Sequence, residues 1–472
     1  MLTGGVAIHA LSLRVVSTVL PSAVAEIGGL PFFAWTTTVA IVSAIWGAAF
    51  AARLVQSRGL RSAYRLSLLL FAVGSIGCAA APDMAVFLTG RLFQGLGGGL
   101  LVALAYTTIR RVFPESLRTR AIVLVSGVWG VAALSGPLLG GILAEWGLWR
   151  WAFWIDVPIA VAVGMLGEYA LRKSTEPDSG GIKHAGTAFG RLALLGAAVL
   201  AVAIGGVPGD AVSSGIGLIT GTVLLAALLR MEQASDSIIA SFRLLPSGAY
   251  RPGNVLGAVS LAMALMVGTT TAVLYLPYVA TEIGGYSAVV GGYLSALVSL
   301  SWTAAAFVSG SAERAWAERS IVLGPAVMGL GLFLTGCALI FGSIAFVALA
   351  LLLVGGGIGL AWAHLAGSMM SHAKATEHDV SSAFITTNQM IAQAFASALA
   401  GMIANLGGFA DAALRPVGVA GAVAWLFLWF ALFAAAALPA SVISVRLSKT
   451  EPANRGSVDE VRELCGSGRR RD

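Results

Sequence analysis

The chain has 472 residues, 58% of them hydrophobic and only 11% charged, with a mean hydropathy of +0.88. A soluble globular protein carries about a quarter charged residues, so the composition excludes one. The net charge of +7 calls for no nucleic-acid partner, because the basic residues fall in particular gaps between apolar segments, where they anchor a chain to membrane surfaces.

Apolar segments run at 5–28, 33–52, 65–82, 86–109, 121–144 and 151–171, then at 189–207 and 211–229, and then at 253–280, 288–311, 320–341, 344–371, 380–407 and 417–445. Each approaches or exceeds the ~20 residues that a helix needs to cross ~30 Å of hydrocarbon. The pattern predicts an all-α polytopic membrane protein with fourteen transmembrane helices. Of its 29 Lys and Arg residues, 25 lie in every second gap or, as Arg65 and Arg191 do, at the edge of a segment beside it; Arg150 and Arg415 lie in the opposite gaps, and Arg14 and Arg91 lie deeper inside segments. By the positive-inside rule both termini are expected in the cytoplasm. The first segment lacks a basic leader and a small-residue cleavage site, and reads as a retained span.

Polar stretches at 172–188, 230–252 and 446–472 interrupt the pattern. They divide the chain into an N-terminal six-helix half (1–171), a linker with two extra spans (172–252), a C-terminal six-helix half (253–445) and a disordered cytoplasmic tail (446–472). Paired halves holding substrate near the midplane are the usual build of secondary transporters. No loop carries a catalytic motif, so no enzyme is expected. Cys78, Cys337 and Cys465 are scattered, which suggests neither a disulfide framework nor a metal site, and no cofactor is expected.

The fourth span opens with GRLFQGLGGG at 90–99, placing Arg91 and Gln94 beside a run of glycines. An Arg in hydrocarbon is costly and should face the bundle interior or a wet cavity, while glycines let a neighbouring helix come close. The fifth span reads GVWGVAALSGPLLGG at 127–141, a kinked helix with a nearly bare face. WRWAFWIDVPI at 149–159 follows as an interfacial Trp and Arg belt.

These residues resemble the major facilitator superfamily, and within it the fourteen-span drug:proton antiporter branch. Arg91, Gln94, Gly95 and Gly97 match the motif of the fourth span; Gly127, Gly136, Pro137, Gly140 and Gly141 match the antiporter motif of the fifth. Residues 275–292 and 378–401 resemble later spans of the branch, and the likeness covers 10–445. It implies alternating access by two rocking halves and efflux by an antiporter of the multidrug resistance type. Expected partners are a small-molecule substrate, protons or another coupling ion, and membrane lipids, and the working unit is a monomer.

Two departures stand out. ARLVQSRGLR at 52–61 keeps Leu54, Gly59 and Arg61 of the family's loop motif but has Gln56 at its acidic position, so gating is expected to lean on Arg58, Arg61 and helix-end carbonyls. LSLRVVSTVLP at 11–21 has Ser12 and Arg14 where the branch has Asp and Thr. Glu26, Glu145, Asp156 and Glu282 read as outer-end residues and Glu168 as near an inner end, which leaves no carboxylate mid-span to pair with a cationic drug and take a proton. Counting ~1.5 Å per residue puts Arg14 ~14 Å and Arg91 ~22 Å above the cytoplasmic face, and two guanidiniums favour an anion. Coupling then falls to a histidine such as His9 or His364, since an unperturbed imidazole titrates near neutral pH, or to the substrate itself.

Asn388, Gln389 and Gln393, with Thr386 and Thr387, make one wet face of the thirteenth span, and Tyr275 and Tyr278, with Tyr293 and Trp302, are candidates to line the cavity. Each residue also has a plainer reading. Arg14 could bridge to a helix terminus, Arg91 could glue helices, the histidines could be satisfied interior residues, and the aromatics could form interfacial belts. The substrate is accordingly a small amphipathic or anionic organic compound. The alternatives are one anionic metabolite, such as a siderophore or organic acid, carried by a dedicated transporter, or no cargo at all in a membrane scaffold or lipid-binding protein.

Overall fold

The computed structural model describes residues 2–112, 115–171, 185–234, 245–246, 248–310, 314–373, 378–410 and 416–450. Most of the 172–188 stretch, residues 235–244 and the tail beyond 450 therefore lie outside the described residues. Those described are helical with no strand. Thirteen segments are long and apolar enough to cross a membrane, and a fourteenth apolar stretch, Gly190–Gly206, is shorter.

The first helix, α1 (Leu2–Ile27), carries Pro21. In α2 (Trp35–Ala79) two crossing segments fold back on each other at Gly59, whose φ of 77° and ψ of 161° break the helix. Only glycine takes that conformation without strain, so the glycine kept from the loop motif is the bend itself. Next, α3 (Met84–Val112) lies between the two arms of α2. A Cβ on Gly95 would fall 2.0 Å from Ser43 Oγ of the first arm, and one on Gly97 would fall 2.5 Å from the Phe71 nitrogen of the second. The glycine run thus lets three segments touch backbone to backbone, the contact that drives helix association where burial from water cannot. Then come α4 (Glu115–Glu145), the single turn α5 (Trp151–Trp154) and α6 (Asp156–Ala170).

The two extra helices are α7 (Ala185–Gly206) and α8 (Ala211–Ala234). They pack tightly, with a Cβ on Gly205 falling 2.7 Å from Gly217 Cα, and a buried Arg191–Glu232 pair at 3.0 Å ties their far ends. Asp210 caps α8 by accepting from the Ser213 and Val212 amides at 2.8 and 3.0 Å, and the Ser213 bonds hold its carboxyl below the usual range.

Asn254 caps α9 (Val255–Thr269) through its bond from the Gly257 amide. The helix then tightens into a 3-10 stretch at Thr270–Tyr275, α10 (Leu276–Tyr278) and a π turn at Val279–Ile283. Pro277 causes this. It has no N–H to return to Val273, whose carbonyl is taken by the Leu276 amide and by Ser295 Oγ at 3.2 Å. The remaining helices are α11 (Ala288–Gly310), α12 (Arg314–Ile340), α13 (Ile344–Ser371), α14 (His378–Leu406) and α15 (Pro416–Thr450).

Contacts between a first group of helices, α1–α6, and a second, α9–α15, run mainly through α4 with α11 and α2 with α14, and include the face carrying Gly28. Phe33 of the first group lies 5.1 Å from Tyr275, 5.7 Å from Tyr278 and 5.6 Å from Phe409, centroid to centroid, making an aromatic plug. Ser397 donates to the Ala34 carbonyl at 3.2 Å, and Glu145 accepts from the Val289 amide at 3.3 Å. Helix α7 touches both groups. Trp46 Nε1 donates to the Leu192 carbonyl at 3.0 Å, while Asn405 Nδ2 donates to the carbonyls of Pro31 and Gly206, each at 3.0 Å.

Candidate functional site

A buried polar chain crosses the centre of the first helix group. Arg91 of α3 donates through Nε to the Thr36 carbonyl at 3.2 Å and through Nη1 to Gln94 Oε1 one turn on. The Gln94 amide nitrogen then lies within hydrogen-bond reach of Ser12 Oγ of α1 and Ser75 Oγ of α2, each at 3.0 Å, and of Asp156 Oδ2 of α6 at 3.1 Å. Ser75 Oγ also donates to Asp156 at 3.4 Å. Arg91, Gln94, Ser12, Ser75 and Asp156 are all buried. Burying a charge is tolerated only with such partners, so the chain pins four helices to one another.

Asp156, read from the sequence as an outer-end residue, is buried among these partners, so a carboxylate does stand inside the bundle. Its stretch reads as an interfacial belt, yet the Asp156 carboxyl faces Gln94 of α3 and Ser75 of α2. The signal available was an acid within an apolar span, where a charge needs interior partners. Ser75 was missed because its role is set by residues on other helices.

Arg91 is 2% exposed, and in this state its guanidinium is engaged by Gln94 and Thr36. Arg14 differs. It is half-buried, and its guanidinium has no hydrogen-bond or ion-pair partner among the described residues. It shares a stripe of α1 with Thr3, Ala7, Leu11 and Ser17, all half-buried at helical spacing. Gly136 of α4 lies behind it, where a Cβ would fall 2.4 Å from Arg14 Cβ.

His9 is buried and wedged between helices: a Cβ on Gly98 would fall 1.9 Å from its Nδ1, and Trp129 stands edge-on at 6.3 Å. His364 is half-buried, and its Nε2 is buried without a hydrogen-bond partner among the described residues. On α14 the expected wet face divides. Asn388 is fully buried, accepting from Tyr250 and donating to the Ser260 carbonyl at 3.1 Å, so it joins α14 to α9 rather than lining open space. Gln389 and Gln393 are half-buried one turn apart, with no hydrogen-bond partner among the described residues. Tyr275 is 1% exposed and belongs with Tyr278 to the plug, so the plug rather than an open wall is where both stand.

The glycines of α4 make the other contacts. A Cβ on Gly140 would fall 2.9 Å from the Val15 carbonyl of α1, one on Gly141 2.6 Å from Val289 Cα of α11, and one on Gly292 of α11 2.9 Å from Pro137 Cβ. Gly127 takes no part, since a Cβ there would meet no described atom within 4 Å. Arg61 is spoken for by Glu168 of α6, to which it donates through Nε at 2.7 Å and through Nη2, and Arg65 binds the same carboxylate. This contact stays within the first helix group. Among the described residues no cluster of three metal-ligating side chains occurs.

Residues 2–397 match the family model described as Major Facilitator Superfamily. The chain is 34% identical over 461 residues to Probable multidrug-efflux transporter Rv1634 of Mycobacterium tuberculosis, covering 93% of each. It is 32% identical over 155 residues to Multidrug resistance protein 3 of Bacillus subtilis, covering 33% of this chain and 30% of that protein. Among solved structures, a D-xylose-proton symporter superposes with a TM-score of 0.63 at 15% identity over 97% of this chain and 98% of its own. A POT family transporter does so with a TM-score of 0.64 at 15% identity over 95% of each.

Proposed function

The chain belongs to the Major Facilitator Superfamily, and from that premise we propose that it is a proton-coupled exporter of small amphipathic organic compounds. It works by alternating access across a bacterial inner membrane. Helices α1–α6 and α9–α15 act as the two rocking halves, α7 and α8 complete fourteen spans, both termini are cytoplasmic, and the Gly28 face is the outer one. The plug of Phe33, Tyr275, Tyr278 and Phe409 then closes the outside, and the present state is inward-facing. Cysteine labelling from one side should distinguish Asp210, outside, from Lys183, inside; labelling of both from the same side defeats the orientation.

The buried chain from Arg91 through Gln94 to Asp156 carries the coupling. Asp156 is the one buried carboxylate described in this half, and a carboxylate can accept a proton in one state and release it in the other. When ionised it accepts the Gln94 and Ser75 hydrogens. When protonated it must donate one, which forces Gln94 and the serines to reorient across α1, α2, α3 and α6. Export in multidrug-type relatives supplies the direction.

Arg14 bears on the substrate, as a charged donor for an acceptor group on the compound. The sign of the electrostatics matters. A plain anion at Arg14 binds best when Asp156 is protonated, which moves anion and proton the same way. Counter-movement needs a compound whose binding proton uptake opposes, such as a zwitterion whose positive group is drawn to the ionised Asp156. The plain anion is the second reading, favoured by Arg14 alone. A pH dye in proteoliposomes separates the two, since export against protons acidifies the compartment that the compound leaves, and co-movement makes it alkaline. Arg14→Gln should weaken compounds with a carboxylate or phosphate by about tenfold, the scale of one charge-assisted hydrogen bond, and spare those without. Equal affinity of both classes for the variant and the native protein defeats the assignment of Arg14.

A further inference from the structure

A groove of about 450 Å³ runs between the second arm of α2 and α6, away from the Arg91 chain. Its volume is within the ~300–1,000 Å³ of small-ligand sites, yet its walls suit a chain better than a compact molecule. Leu68, Leu69, Ala72, Val161 and Met165 make an apolar trough, in which Leu69, Val161 and Met165 are exposed on the outside of the bundle. Gly164 forms its floor. A Cβ there would lie 3.4 Å from Leu68 Cδ1, so any longer side chain would fill it. The trough ends in charge, at Arg61, Arg65 and Glu168.

We propose that this groove binds an anionic phospholipid, with its phosphate at Arg61 and Arg65 and one acyl chain along the trough. The charge is the first reason. Two guanidiniums share the single carboxylate of Glu168, the lining has no other charged group, and one positive charge is left over at the mouth. Arg65 keeps 60% of its side chain exposed and so retains access for a second, external acceptor, which a planar guanidinium binds in bidentate fashion. Length is the second reason. From Arg61 to Ala72, and from Ala160 to Leu171, the groove spans eleven helical steps, roughly 16 Å at ~1.5 Å each, close to one leaflet's share of ~30 Å of hydrocarbon. The charged mouth therefore stands at headgroup depth on the Gly59 face while the trough ends near the midplane. A soluble phosphate compound would use the mouth and leave the trough empty.

Native mass spectrometry of the full-length protein in micelles with equal phosphatidylglycerol and phosphatidylethanolamine tests this. The native protein should retain phosphatidylglycerol about fivefold over phosphatidylethanolamine, the scale of one unbalanced guanidinium facing anionic lipid. Arg65→Gln should bring the ratio to about one, and Arg65→Lys should preserve a preference. Gly164→Leu should cut retention of both lipids by filling the trough, with thermal unfolding confirming that each variant is folded. Equal retention of the two lipids by the native protein overturns the proposal, as does undiminished phosphatidylglycerol binding in both Arg65→Gln and Gly164→Leu.

Discussion

Asp156→Asn should abolish accumulation driven by a pH gradient while leaving exchange of substrate for substrate, at equal pH on both sides, near the native rate. The substitution keeps size and one acceptor oxygen, so Gln94 Nε2, at 3.1 Å, retains a partner, but it removes the one carboxyl in this buried network among the described residues. Loss of the charge also leaves Arg91 buried with neutral partners, and an unpaired buried charge costs a protein about 3–5 kcal/mol when nothing replaces its partner. Thermal stability should therefore fall measurably, although Thr36 and Gln94 still hold the guanidinium. The discriminating comparison is between the two assays. A merely structural role for Asp156 lowers both rates together, and a coupling role removes one and spares the other. Gradient-driven transport at the native rate in Asp156→Asn would show that the proton travels elsewhere, with His9 and His364 the next groups to replace.

Most of the helices were legible because the bilayer imposes a length and a composition on each of them. Glycine and proline punctuation was legible for a related reason: Gly59, Pro137, Gly140 and Gly141 each answer a local demand of backbone shape or close approach, which residue type alone declares. The site was less so. Arg14 and Arg91 were found because a guanidinium in an apolar run is conspicuous, yet their opposite fates depend on residues far away in sequence. Arg91 meets Gln94 and Thr36, whereas Arg14 meets no described partner. Asp156 reads as an outer-end residue by its place in the chain, and its burial is decided by Gln94 and Ser75 on other helices. Arg61 shows the same limit: its acidic partner lies 107 residues on, at Glu168, where loop-motif spacing gives no hint of it. Gly127 errs in the other direction, since it fits the motif and touches nothing described.

That contrast within one helix gives a sharp expectation. Gly141→Leu should reduce transport by about two orders of magnitude, and Gly127→Leu should leave it nearly unchanged, with normal membrane insertion in both. A Cβ at Gly141 would already lie 2.6 Å from Val289 Cα, so α4 and α11 must separate, and with them the contact that closes the Gly28 face. Overpacking of this kind costs about 1–3 kcal/mol, and because the clash exists only when that face is shut, the cost falls on one state of the cycle. A differential of that size shifts a two-state equilibrium by a factor of roughly 5–150. Gly140→Leu meets the Val15 carbonyl of α1 instead, within one half, and should abolish transport through distortion of that half. The two mechanisms separate by accessibility. A cysteine replacing Thr18, which abuts Gly292 at the closed contact, should become reactive to an impermeant maleimide from the outer side in Gly141→Leu. Normal transport by Gly141→Leu, or equal loss in Gly127→Leu, would remove this contact from the transport cycle.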